Sequence, residues 1–179
     1  LNIFEDLEVF GGVGNQIDDE IQIMTSRSNI IDLVKRLGLN INIVALGNIR
    51  NSQVYRNPSP PFNINFLAAD SIVNSASTKF YITLSSETSF EYAEDEEGPV
   101  STHLYGNTIS SPVGDIIITP NNFDLPRYDT NKYAVYVNPL ASVAEYYQKA
   151  LEISVSDEKS KIITILLNDP IIARAQDVI

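Results

Sequence analysis

The chain has 179 residues, 44% of them apolar, with no cysteine and a net charge of −11. This charge argues against nucleic-acid binding, which requires clustered Lys and Arg, and against a domain that lies flat on anionic lipid. The absence of cysteine excludes disulfides and cysteine-based metal sites. The length and the apolar content predict one domain over residues 1–179 with a real hydrophobic core.

The longest apolar run, residues 133–137, is far shorter than the roughly 20 residues that a transmembrane helix needs. No signal peptide is visible in the sequence. The chain begins at Leu1 rather than Met and ends at Ile179 inside a predicted helix. We therefore expect it to be a segment of a longer protein, and the absence of a membrane span within it does not bear on that parent.

A helix is predicted from about residue 16 to residue 37, after a glycine-rich stretch. Gly11–Gly14 contains three glycines in four residues and indicates a flexible connection. Asn15 is a good N-cap, and the acidic residues after it suit the positive end of the helix dipole. Basic residues in the last turn and Gly38 as the C′ residue mark the end of the helix.

The apolar residues of this helix keep helical spacing on one face. We expect Ile23, Ile30 and Val34 to be buried against the sheet for that reason. The polar residues of the opposite side are expected to face solvent or a neighbouring subunit: Asp19, Lys35 and Arg36.

Alternation of apolar and polar residues predicts several strands in the middle of the chain. The predicted strands lie at residues 39–43, 62–66, 80–84, 89–92, 103–105, 115–119 and 133–137. The stretch 79–120 contains only strands and turns, and we interpret it as a β-rich insert.

The last third of the chain returns to a mixed pattern. We predict a helix over about 140–150, a hairpin made of residues 152–156 and 161–167, and a terminal helix. Asp169 would be the N-cap of that helix, with Pro170 at its first position. This order predicts an α+β fold in which a mixed sheet packs against a helical layer.

Two short stretches suggest ligand binding but fit simpler interpretations better. Gly11–Gly14 precedes a helix as phosphate-binding loops do, but Asn15 and Gln16 stand where such a loop needs Lys and Ser or Thr. Glu94–Glu97 groups acidic residues, but it lacks the alternating pattern and the distal Glu of an EF-hand. We interpret the first as a linker and the second as a solvated turn.

His103 is the only histidine in the chain. A single histidine excludes a His-pair metal site and any mechanism that needs two imidazoles within one chain. No Gly-x-Ser-x-Gly motif surrounds any serine. We therefore interpret His103 as structural, and the residues predict no catalytic, cofactor-binding or metal-binding site.

The nine tyrosines suggest carbohydrate stacking as one interpretation of the sequence. The tyrosines concerned lie in the β region and in a later strand: Tyr81, Tyr92, Tyr105, Tyr133 and Tyr136. Because tyrosine is enriched in strands for packing reasons and the chain has no tryptophan, packing is the favoured interpretation. The pair Tyr146 and Tyr147 could be a phosphorylation site, but on a helix between two strands we expect it to anchor the helix to the sheet.

Residues 20–28 read EIQIMTSRS and fall within the first predicted helix. This run resembles the "EIEIL-x-SR" helix of the Wzz-type chain-length determinants, also called polysaccharide co-polymerases. Leu7–Gly12 is similar to the "LGLFGG" lead-in of the members of that family that carry tyrosine autokinases. Leu37–Leu39 is similar to the exit of the family's helix.

Three later stretches resemble the same family in the same order. Residues 107–120 resemble its "G-x-x-I-x-T-P-x-G-x-F-x-I-x-P" segment, and residues 151–155 its "L-x-V-S" segment. Residues 161–165 and 169–179 resemble "N-I-I-x-I-S" and the "D-x-x-P-x-x-A-x-D-I-I-N" that follows it. The aligned region would be the periplasmic portion between two membrane helices, without its first strand and its long distal helices. The kinase motifs are absent, so the resemblance carries no kinase activity over to this chain.

The resemblance implies a non-catalytic periplasmic scaffold domain of an inner-membrane oligomer. Such an oligomer controls the chain length or the export of capsular polysaccharide or exopolysaccharide. Its subunits would form a ring and work with the polymerase and the exporter, and glycan is a further expected contact. The parent could also carry a cytoplasmic tyrosine kinase domain. No cofactor and no nucleic acid are expected as partners.

Two other functions remain open from the residues alone. The first is a carbohydrate-binding module without catalysis, built on residues 79–119. The second is an enzyme of an unrecognised class, because a pocket of converging carboxylates is not visible in a sequence. His103 would be the only imidazole available to such an enzyme.

Overall fold

The computed structural model describes residues 17–56, 59–121, 130–157 and 162–179. Within these ranges it contains five helices and eleven strands, which confirms the predicted α+β class. None of the helices described there is long and apolar enough to cross a membrane. The Gly11–Gly14 linker and the Asn15 N-cap lie outside the described residues.

The helices and strands are numbered here in chain order. The helices are α1 over residues 17–24, α2 Arg27–Leu37, α3 Asp70–Ser75, α4 Leu140–Ala150 and α5 Ile172–Val178. The strands are β1 Ile41–Leu46, β2 Asn51–Val54, β3 Phe62–Phe66, β4 Thr78–Leu84, β5 Ser89–Ala93, β6 Ser101–Leu104, β7 Thr108–Ser111, β8 Gly114–Pro120, β9 Lys132–Val137, β10 Leu151–Asp157 and β11 Ile162–Leu167.

The prediction of one continuous helix from 16 to 37 is wrong, because the chain breaks between α1 and α2. The Thr25 hydroxyl donates a hydrogen bond to the Ile21 carbonyl oxygen at 2.8 Å. Ser26 is the N-cap of α2, and its Oγ accepts from the Asn29 backbone N–H at 3.4 Å. Side chains of Ser and Thr compete in this way with the backbone bonds of a helix.

The break decides which of the predicted face residues are buried. Ile30 and Val34 on α2 are buried as predicted, whereas Ile23 on α1 is 62% exposed, so its predicted burial is wrong. The residues predicted to be exposed on this helix pair are indeed exposed: Asp19, Lys35 and Arg36. Gly38 ends α2 with φ of 66°, a left-handed conformation that glycine adopts at no steric cost.

The largest sheet has six strands in the order β2-β1-β9-β4-β5-β6. Every pairing in it is antiparallel, so the expectation of a mixed sheet is corrected to an antiparallel one. The stretch 79–120 is β-rich as predicted, but its strands are divided between two sheets. Strands β4 to β6 belong to the six-stranded sheet, and β7 and β8 join β3 in a three-stranded sheet.

The first core lies between these two sheets. Phe80, Phe90 and Val135 of the larger sheet pack in one cluster with Phe62 and Ile116 of the smaller one, all of them fully buried. A second sheet therefore covers the inner face of the six-stranded sheet, a packing that the sequence patterns do not predict. Because apolar side chains alternate along these strands, each strand contributes every second residue to this core.

A second core lies among the helices, at the end of the large sheet where β1 begins and β2 and β9 end. Its buried residues come from α2, α4, α5 and the turn before β1: Ile30, Val34, Leu39, Leu140, Ala144, Tyr147 and Val178. The residues of α2 predicted to pack on the sheet therefore pack on α4 and its neighbours instead. The predicted hairpin is confirmed as β10 paired with β11, which joins α4 to α5.

The terminal helix starts later than predicted. Its N-cap is Ile171 rather than Asp169, and Pro170 precedes the helix instead of occupying its first position. The Asp169 Oδ1 accepts a hydrogen bond from the Ile171 backbone N–H at 2.8 Å. An Asp side chain that bonds two residues ahead forms a turn before the helix, so Asp169 serves the approach to α5 and not its cap.

Candidate functional site

An open cleft of about 800 Å³ separates the outer face of the large sheet from the helices. One wall is formed by residues of β1, β2 and β9 that point away from the first core. The other wall is formed by α4 and the start of α5. Clefts of this size are those in which proteins hold small ligands, so this is the candidate functional site of the described chain.

Three tyrosines line the cleft, with very different exposure. Tyr136 is half-buried on β9, whereas Tyr146 on α4 is 55% exposed. Tyr147 is buried in the second core, and its ring meets that of Tyr146 edge to face, with centroids 5.2 Å apart. The expectation that the pair anchors this helix to the sheet is therefore wrong. Tyr147 anchors α4 in the helical core, and the Tyr146 ring remains accessible at the cleft.

The polar end of the cleft contains a buried ion pair. Arg174 of α5 donates from Nε to Asp169 Oδ2 at 2.7 Å and from Nη2 to Asp169 Oδ1 at 2.9 Å. Its Nη1 donates to Gln53 Oε1 at 3.0 Å, which ties α5 to β2. Burial disfavours the guanidinium charge, but the hydrogen bond and the charge of Asp169 outweigh burial and raise the pKa of Arg174.

Several neutral polar groups at the cleft have hydrogen-bonding capacity to spare. Asn42 uses its Nδ2 to bond the Leu39 carbonyl oxygen at 3.2 Å, which leaves its Oδ1 available. Gln53 uses only its Oε1, so its amide N–H groups are available. In the described part of the chain, no hydrogen bond engages the side chains of Asn138 and Ser142 or the hydroxyl of Tyr146.

Most of the tyrosines that suggested a stacking surface are packed instead. Tyr81 and Tyr133 are buried, and so is Tyr92. The Lys79 and Lys132 ammonium groups lie 5.5 and 5.7 Å from the centroid of the Tyr81 ring. The packing interpretation is therefore confirmed for these three rings.

Tyr105 is half-buried and packs against Phe90, with ring centroids 5.1 Å apart. The hydroxyls of Tyr92 and Tyr105 are buried and have no partner among the described residues. Of the five tyrosines considered for stacking in the sequence, only Tyr136 lines the cleft.

The other residues singled out in the sequence lie away from the cleft. His103 on β6 bonds Ser101 Oγ through Nε2 at 2.8 Å and packs beside the Phe90 ring. Glu94–Glu97 forms the exposed turn between β5 and β6, and Glu96 lies 3.9 Å from the Lys132 ammonium. Across the described ranges, no three residues of the types that bind metals come together.

The polar residues of the cleft were not predicted from the sequence. Asn42, Gln53 and the neighbouring Asn138 and Ser142 come from three separate parts of the chain, and no motif connects them. One local signal was available for Arg174, because a cation five residues after Asp169 can fold back onto it. No pattern in the sequence predicts that α5 contacts β2 through Gln53.

Two buried tyrosines make the stability of the fold sensitive to alkaline pH. Burial raises the pKa of Tyr92 to about 12 and that of Tyr147 to about 12. The unfolded chain releases these protons near the ordinary value of about 10. The stabilisation linked to the two protons is therefore complete below about pH 10 and is lost as the pH rises through about 12.

We expect the free energy of unfolding to fall between about pH 10 and 12, and less steeply in the double variant Tyr92→Phe with Tyr147→Phe. Chemical denaturation at a series of pH values measures this slope. Tyr146→Phe is the matched control, because Tyr146 is exposed. An equal slope in the double variant and the unmodified protein would contradict the prediction.

The comparisons with known proteins assign no family to this chain. No protein-family model matches it, and no curated protein matches it.

Proposed function

We propose that this chain is a non-catalytic scaffold domain of a Wzz-type polysaccharide co-polymerase. In this proposal it lies in the periplasm as part of an inner-membrane protein. The assembled subunits form a ring that works with the polymerase and the exporter of a capsular polysaccharide or exopolysaccharide. The domain contributes contacts and geometry to that assembly and performs no chemistry.

One observation carries the proposal: most of the segments with the resemblance meet in one layer of the fold. The run 20–28 spans the end of α1 and the start of α2. Residues 151–155 lie in β10, residues 162–165 lie in β11, and residues 169–179 contain α5. The Gln148 side chain of α4 donates to the Thr25 carbonyl oxygen of that run at 2.8 Å. Leu151 and Leu167 pack against the same core as Val178.

This meeting supports the proposal because the run 20–28 lies far in the sequence from residues 151–179. Chance similarities scattered along a chain have no reason to fold into a single structural unit. A shared layer is what a common ancestral domain would produce. Of the other segments, residues 107–120 contain β7 and β8 of the smaller sheet, Leu37–Leu39 covers the end of α2, and Leu7–Gly12 lies outside the described residues.

The proposal assigns the exposed apolar residues of α1 to contacts between subunits. Ile23 and Met24 are exposed on the helix that carries the resemblance. A single exposed apolar residue needs no explanation, but two adjacent ones on this helix offer a small apolar patch for a neighbour. A ring needs such a patch to be repeated identically on every subunit.

The test is the length distribution of the polysaccharide in the source cell. Deletion of the gene for the full-length protein should shift that distribution, as seen by gel electrophoresis of the isolated polymer, and the unmodified gene should restore it. Full-length protein with Ile23→Asp and Met24→Asp should fail to restore it. Leu104→Asp, on β6 and 56% exposed, is the control that should restore it. An unchanged distribution after deletion would contradict the proposal.

We expect the isolated chain to be monomeric or only weakly associated. Its charge of −11 produces repulsion between copies, and anchoring in a membrane would normally raise the effective concentration of subunits. Sedimentation equilibrium at micromolar concentration measures the association. A stable hexamer or octamer would show that the surfaces of the domain suffice without a membrane anchor.

A further inference from the structure

We propose that the cleft between the large sheet and α4 binds a neutral oligosaccharide. The resemblance already implies glycan as a contact, and this inference adds the site on the chain and the requirement that the ligand is uncharged. It rests on the charge, the polar groups and the aromatic rings of the cleft, and each of these limits the class of ligand.

The charge of the lining excludes strongly ionic ligands. Arg174 is the one charged residue among those that line the cleft in the described structure, and Asp169 neutralises it at 2.7 Å. An anionic ligand would find no unpaired cation there, and it would approach a chain with a net charge of −11. A cationic ligand would find no unpaired carboxylate in the lining. The ligand that fits is therefore uncharged.

The available polar groups are amides and hydroxyls that include both donors and acceptors. Asn42 offers an acceptor oxygen, Gln53 offers amide N–H groups, and Asn138 and Ser142 offer both kinds. A sugar hydroxyl is itself both a donor and an acceptor, so it can bond to any of these groups. An apolar ligand would bury them without partners, which is unfavourable. The ligand is thus a polar molecule rich in hydroxyl groups.

The accessible ring of Tyr146 supplies the apolar contact that a sugar needs. Pyranose rings carry C–H groups on their faces, and these pack against an aromatic face while the hydroxyls at the ring edge bond to amides. Tyr147 holds the Tyr146 ring by its edge-to-face contact at 5.2 Å. The volume of about 800 Å³ leaves room for a short oligosaccharide, and the cleft is open to solvent.

The experiment measures binding of a panel of neutral oligosaccharides and of their uronic-acid counterparts to the purified chain. A glycan array identifies the best neutral binder, and calorimetry gives its dissociation constant. Tyr146→Ala should weaken this binding by about tenfold, as expected for the loss of one ring contact. Asn138→Ala should also weaken the binding of this glycan. Leu104→Ala, at a similarly exposed apolar residue far along the sheet on β6, should leave it unchanged.

Four results would overturn the inference. The first is that no neutral glycan binds, and the second is that the uronic-acid counterpart binds more tightly. The third is that Tyr146→Ala binds as well as the unmodified protein while circular dichroism shows an intact fold. The fourth is that neutral peptides from a library bind in the cleft and no glycan does. This binding test and the polysaccharide-length test are separate. If the scaffold proposal is wrong, the result expected of the glycan titration stays the same. If the titration detects no binding, the result expected for the polysaccharide length stays the same.

Discussion

Replacing Arg174 by Ala should lower the free energy of unfolding by about 3–5 kcal/mol, the range for breaking a buried ion pair by removal of one partner. The side chains of Arg174 and Asp169 are only 11% and 1% exposed. Without the guanidinium, the Asp169 carboxylate stays buried with the Ile171 N–H as its remaining partner. The Gln53 side chain also loses its link from the sheet to α5. Urea denaturation of the two proteins at neutral pH measures the difference.

A matched control for this prediction is available on α4. Lys149 pairs with Glu145 four residues earlier, and both side chains are largely exposed. Lys149→Ala should change the free energy of unfolding by no more than about 0.5 kcal/mol, because exposed pairs of this kind contribute little. An effect of Arg174→Ala as small as that of the control would contradict a stabilising role for Arg174 between Asp169 and Gln53.

Replacing Ile30 by Ala should lower the free energy of unfolding by about 2–5 kcal/mol. Ile30 is buried in the second core, where α2 packs on α4, and its truncation leaves a cavity that the surrounding helices fill only in part. The same substitution at Ile23 should change stability by no more than about 0.5 kcal/mol, because that residue is 62% exposed. The two variants therefore test the same Ile→Ala substitution on two adjacent helices.

The two Ala variants also test the break between α1 and α2. A single continuous helix would carry both isoleucines toward one face, and both substitutions would then be costly. Equal losses at Ile23 and Ile30 would contradict the position of α1 in the structure. A loss below about 1 kcal/mol at Ile30 would contradict the second core itself.

Elements with strong local patterns could be predicted from the sequence. Residues 62–66 and 133–137 alternate or run apolar between clear turn signals, and both are strands. The helix at 140–150 and the hairpin after it were found for the same reason. In each case the residues near in sequence decide the local structure, so the pattern carries the information.

The errors occur where side chains compete with the backbone or where distant parts of the chain meet. Thr25 and Ser26 break a helix whose apolar spacing continues through them. Asp169 bonds both the backbone and Arg174, which delays the start of α5. The pairing of β4 with β9 and the convergence of Asn42, Gln53 and Ser142 on one cleft depend on tertiary contacts. A local pattern does not encode these contacts.

The two-sheet sandwich is an insertion between α2 and α4, and this gives the domain a defined mechanical order. The chain enters the sandwich after Gly38 and leaves it before Leu140, and the Asn138 N–H bonds the Asn40 carbonyl oxygen at 2.8 Å where the two crossings lie side by side. Tension applied through α1 and α5 is therefore carried by the contacts among α2, α4 and α5. In a pulling experiment the helical layer should open first, and the sandwich should bear load only after these crossings separate.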